Sequence, residues 1–121
     1  MMEKSRVLKG RSGEEAAAEF LIRKGMKIID RNFRCPVGEI DIIAMDAAVV
    51  VFVEVRSRTG SRFGGPEESI DAPKRRKIVQ TAQWYLKKRG LGDSPARIDV
   101  VAIRWRGDEP EVNWIVNAFG A

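Results

Sequence analysis

Apolar residues fall at helical spacing in two stretches of this chain and form short strand-like runs in five others. Ser12 with Glu15 three positions on has the form of a capping box; Ala16, Ala17, Phe20 and Leu21 then make one apolar face. With Gly25 as the stop, the spacing predicts a helix over 13–24. Residues 26–33 read as a strand, closed by a turn at Cys35-Pro36-Val37-Gly38. Two more strands are expected at 39–45 and 49–57, around a tight connection at Asp46-Ala47-Ala48. The second holds Val49 through Val53 and Val55, a run that suits a central strand buried on both faces. Ser57 to Ala72, with Gly60, Gly64, Gly65 and Pro66, reads as a long loop of the kind that often carries function. Pro73 suits the first turn of a second helix, which presents Ile78, Ala82, Tyr85 and Leu86 on one face and ends at Gly90. Strands at 97–105 and 112–119 complete the order: helix, three strands, helix, two strands. That order predicts an α/β fold, a mixed central β-sheet flanked by helices. Residues 1–11, with Lys4, Arg6, Lys9 and Arg11, read as a flexible basic arm, and 12–121 as a single domain.

Composition narrows the chemistry. At 121 residues the chain suits one hydrophobic core, and 22 Lys and Arg against 17 Asp and Glu leave a charge of +5. Such a surplus suits nucleic acid or another anionic partner. The chain has no histidine, which excludes Ser-His-Asp and Cys-His nucleophilic schemes, His-ligated zinc and histidine bases. Cys35 stands alone, so no internal disulfide and no Cys-rich zinc site can form. A reducing cytoplasm is the expected location, with no apolar run of membrane-spanning length and no signal-peptide core. Acid–base and metal chemistry is left to carboxylates.

Acidic residues sit inside two of the apolar runs, Glu39 and Asp41 in Gly38-Glu39-Ile40-Asp41-Ile42-Ile43-Ala44 and Glu54 in Phe52-Val53-Glu54-Val55-Arg56. Burying a charge there is costly unless it is paired or holds a metal. Strand alternation puts Glu39 and Asp41 on one face, opposite Ile40 and Ile42. If the hairpin closes over Ala47-Ala48, Asp46 faces Val49, Asp41 faces Glu54, and Glu39 faces Arg56 as an ion pair. A slip of one residue would part the two acids. In the unslipped register Asp41 and Glu54 would repel, and magnesium, which accepts one or two carboxylates and completes its shell with water and phosphate, would relieve the conflict. A solvated acidic face, each acid met by one of the many arginines, accounts for the pattern equally well.

The acid followed by a strand with Glu-x-Arg resembles the PD-(D/E)xK signature of restriction-endonuclease-like nucleases. The whole chain more closely resembles the bacterial YraN family, through Gly13-Glu14, Arg31-Asn32, Gly38-Glu39-Ile40-Asp41, residues 52–58, Phe63-Gly64, Lys74, residues 97–101 and Asn117-Ala118-Phe119. The resemblance implies a restriction-endonuclease-like fold, with Asp41 and Glu54 as metal-binding, catalytic acids and Arg56 in place of the usual catalytic lysine. It also implies that Glu14 matches the accessory metal-binding acid of some relatives, archaeal junction resolvases among them. Glu14 reads equally as a first-turn acid favoured by the helix dipole. Arginine stays protonated and cannot accept a proton from water, so Arg56 is left to stabilise charge on phosphate.

Arg58 and Arg62 lie in or near the long loop, and Lys74, Arg75, Arg76 and Lys77 open the second helix. Four cations there oppose the macrodipole unless a phosphate joins them; a solvated basic face is the alternative. Trp84, Tyr85, Trp105 and Trp114 read as core or edge residues rather than base-stacking platforms, and Cys35 as a bystander. The expected function is magnesium- or manganese-dependent hydrolysis of DNA, on branched or structured forms among others. A non-catalytic nucleic-acid-binding module on the same fold competes with it. The sequence is compatible with a homodimer and leaves the oligomeric state open.

Overall fold

The computed structural model describes residues 13–59 and 70–120. The basic arm, Ser12 of the capping box, Arg62 and most of the long loop lie outside these residues. Helix α1 (Gly13–Arg23) precedes strands β1 (Lys27–Cys35), β2 (Gly38–Asp46) and β3 (Val49–Thr59). Helix α2 (Ala72–Lys88) follows, then β4 (Ala96–Arg106) and β5 (Glu109–Phe119). The strands form one sheet in sequence order, β3 and β4 running parallel and every other pair antiparallel. The expected α/β architecture, a mixed sheet with flanking helices, is what the chain adopts.

Alternation along β3 builds two cores. Val51 and Val53 point to the side that α1 covers with Ala16, Ala17 and Leu21, whereas Val50 and Phe52 point to Ile78, Ala82 and Tyr85 of α2. Both faces of β3 are thus closed, as its uninterrupted apolar run implies. Helix α1 ends where Gly25 takes a φ of 94°, with Met26 N–H donating back to Leu21. Helix α2 is capped by Asp71, whose carboxylate accepts the Lys74 N–H at 3.0 Å. At Gly38 a Cβ would lie 2.7 Å from the Thr81 hydroxyl, so the β1–β2 turn reaches α2 only with glycine there.

The strands run longer than their apolar stretches. β3 continues to Thr59, which places Arg58 in the sheet and not in a loop. β5 begins at Glu109 and includes Pro110, tolerated because β5 is an edge strand. Among the described residues no helix is long and apolar enough to cross a membrane.

Candidate active site

The β2–β3 hairpin has the expected register, from Asp46 opposite Val49 to Ile42 opposite Val53. Its ladder ends there. One step further on, the Asp41 carboxylate itself accepts the Val55 N–H, at 2.8 Å. The side chain takes the place of a main-chain partner at the point where the two strands part. Alternation also breaks here: Ile42 joins the α1-side core and Ile40 the α2-side core. Across from the break, between the pairs Arg31–Ile42 and Phe33–Ile40, Asn32 adopts a left-handed φ of 54°. The expectation that Ile40 and Ile42 share a face is therefore corrected, and a kink on β1 is the local feature that accompanies it.

Glu54 continues the alternation of β3 onto the α2 side and is 6% exposed. Its Oε2 lies 3.4 Å from Lys74 Nζ and 3.8 Å from Arg56 Nη1. Burial and the Asp41 charge push its pKa up to about 6, against the pull of the two cations. Asp41 is also raised, by burial first and then by Glu14 and Glu39, although the Val55 N–H and Lys74 oppose the shift. Burial is the larger cause at both acids, and the charge of neighbouring acids adds to it. Up to about pH 6 the folded chain keeps a proton on Glu54 that the unfolded chain gives up near 4.5. This group's stabilising contribution is full below the lower value and is lost as pH rises through the upper one, by about 2 kcal/mol. Urea unfolding in a chelator should show that loss for wild type and not for Glu54→Gln; parallel profiles for the two would refute it.

Of the remaining acids, Glu39 is placed differently from the sequence expectation. Glu39 faces Arg34 across β1–β2 at 3.9 Å, and Arg56 lies against Glu54, so the expected Glu39–Arg56 pair is replaced. The reason is the parting of β2 from β3 beyond Ile42, which leaves Glu39 opposite β1 alone. Glu14 projects from α1 close enough to raise Asp41, and Arg31 stands 3.6 Å from it. Among the described residues no group of three or more Asp, Glu, Cys or His side chains is arranged to hold a metal ion.

Helical geometry divides the basic run. Lys74 and Lys77 line a cavity of about 440 Å³ together with Glu39, Gly38 and Thr81, beside the acids. Arg75 turns away, donating to the Ile70 carbonyl and lying 5.4 Å from the Phe119 ring centre; Arg76 borders a separate hollow beside Phe119. Successive residues on a helix point about 100° apart, so four consecutive cations cannot share one face. Asp71 already occupies the Lys74 N–H, one of the free donors expected to meet phosphate. The aromatic side chains are structural, as expected: Tyr85 is buried, Trp114 packs edge-on against Phe20, and Trp105 donates to Ser57.

Two features escaped the sequence reading. Arg31 and Arg34 of β1 stand beside the acids, a placement that needs the β1–β2 pairing to be seen. Asp99 is fully buried and accepts from Arg97, Trp114 Nε1 and the Asn117 N–H. An aspartate inside the apolar run 98–103 was the available signal.

The chain is 49% identical to a UPF0102 protein of Syntrophotalea carbinolica over 98% of its length and 96% of the relative's. It is 50% identical to one from Persephonella marina, over 79% of this chain and 83% of that one. For the UPF0102 protein of Clostridioides difficile the figures are 43%, 92% and 96%. Among solved structures, Pyrococcus furiosus SfsA in complex with Ca2+ aligns at a TM-score of 0.41 and 13% identity, over 91% of this chain and 62% of that one. The model of the uncharacterised protein family UPF0102 matches residues 13–103, and the chain belongs to that family.

Proposed function

We propose that this chain is a metal-dependent nuclease of the restriction-endonuclease-like kind, hydrolysing DNA phosphodiester bonds with magnesium or manganese. The observation that carries this reading is the pair Asp41 and Glu54, set together where β2 and β3 part, each with its pKa raised by burial and by neighbouring acids. Their donor set fits a hard divalent ion: magnesium needs only one or two carboxylates, with water and substrate phosphate completing its shell. When bound, such an ion supplies charge neutralisation and lowers the pKa of water. Asp41 and Glu54 would hold it, with Asp41 oriented by the Val55 N–H. Lys74 and Arg56, both beside Glu54, would offset the charge that grows on the phosphoryl oxygens. In the reaction water oxygen bonds to phosphorus, the P–O ester bond breaks, and the departing oxygen takes up a proton.

Cleavage of linear, flap and four-way DNA, assayed with magnesium, manganese or chelator, tests the proposal. Metal-dependent products should appear with wild type and vanish with Asp41→Asn and Glu54→Gln. Arg56, which cannot serve as a base, favours a second reading, a nucleic-acid-binding module without catalysis. Binding of DNA without cleavage under every metal would select it.

A further inference from the structure

Resting on the nuclease reading, we propose that Arg31 and Arg34 of β1 are phosphate-binding residues that Glu14 and Glu39 hold until a nucleic-acid backbone takes them over. Both arginines lie on an edge strand, with side chains 40% and 77% exposed. Their separations from the acids, 3.6 and 3.9 Å, exceed the 2.7–2.9 Å or so of a charge-assisted hydrogen bond. These are loose pairs that a better partner can break. The acids concerned are the same two whose charges reach Asp41. Each arginine therefore stands one side chain out from the candidate centre.

The opposite rim is basic too. Lys74 and Lys77 of α2 border the cavity that contains Glu39, and Arg34 meets Glu39 from the β1 side. A polyanionic strand lying from β1 to α2 would cross Asp41 and Glu54 with cations on either side. Guanidinium forks match phosphate oxygens in pairs, and contacts of this kind carry no base information. The recognition is accordingly of the sugar–phosphate backbone, independent of sequence.

The test is binding of labelled duplex and four-way DNA in chelator, where no cleavage occurs, over a series of salt concentrations. For Arg31→Ala with Arg34→Ala the slope of log affinity against log salt should shrink by about 1.8, two contacts at about 0.9 each. The paired lysine substitutions should restore the slope. Glu14→Gln should tighten binding, and that gain should shrink in the Arg31→Ala background, the signature of a direct coupling. If the alanine pair fails to fold, Arg34→Ala alone carries the test with an expected slope loss of about 0.9. Where wild type binds DNA, an unchanged slope in the alanine variants overturns the role of β1 and leaves the nuclease reading standing. A wild type that binds no DNA in chelator and cuts none with magnesium or manganese overturns both.

Discussion

Arg56→Lys should retain metal-dependent cleavage of DNA, whereas Arg56→Ala should lose it by about two to three orders of magnitude in rate, the usual cost of removing one donor that stabilises developing charge. Arg56 Nη1 stands 3.8 Å from Glu54 Oε2, on the same side of β3 as the acid. Lysine keeps the positive charge but not the planar fork, so a reduced rate is expected and not full activity. Alanine also strips Glu54 of one of the two cations that lower its pKa, which leaves Lys74 at 3.4 Å to do so alone. Loss of activity is therefore read only in a variant that unfolds cooperatively and binds DNA like wild type. If wild type and Arg56→Lys both bind DNA yet cut no form of it with magnesium or manganese, the binding-module reading replaces the nuclease.

Asp99→Ala should cost about 3–5 kcal/mol of stability, the range for removing one partner of a buried charged pair. Oδ1 accepts the Asn117 N–H at 2.9 Å and Arg97 Nε at 3.0 Å, while Oδ2 accepts Trp114 Nε1 at 2.9 Å. Arg97 reaches on to Asp46 at the β2–β3 turn, at 3.0 Å, so a single carboxylate ties β4 to β5 and, through Arg97, to the hairpin that carries Asp41. It also organises an irregularity. From the pair Ile98–Phe119 to the pair Val100–Ile115, β5 uses four residue steps against two on β4. Asn117 lies inside that bulge with a left-handed φ of 54° and points its N–H at Asp99. Alanine would remove the acceptor from donors on three residues, Arg97, Trp114 and Asn117. Since domains are typically stable by only about 5–15 kcal/mol, such a loss is a large part of the total. Asp99→Asn should fall between, because its amide keeps one acceptor and sets N–H groups against donors. Urea unfolding followed by tryptophan emission measures both; a cost below about 1 kcal/mol for alanine would show that the network is dispensable.

Glu54 and Asp41 were legible as candidates because each is a charge inside an apolar run, and the cost of burying it does not depend on which strands surround it. The hairpin register was legible for a similar reason. A two-residue turn at Ala47-Ala48 sets Asp46 against Val49, and every later pair follows by counting. What counting could not reveal was where the ladder stops. Asp41 takes its hydrogen bond from a residue fourteen positions away because β2 leaves β3 at that point.

By itself, then, the sequence determined what local chemistry determines: the helix stops, the two-sided burial of β3, and the acids that cannot lie buried without compensation. Helical spacing even contains the division of Lys74 and Lys77 from Arg75 and Arg76, since side chains 100° apart cannot face one partner. Tertiary structure alone decided which charges meet. Glu39 exchanges Arg56 for Arg34 because β1, not β3, is its neighbour beyond Ile42. Asp99 becomes a junction because a bulge in β5 turns Asn117 toward it. Propensity and periodicity act between residues a few positions apart, whereas ion pairs and bulges depend on strands brought together by packing, and no local pattern encodes that proximity.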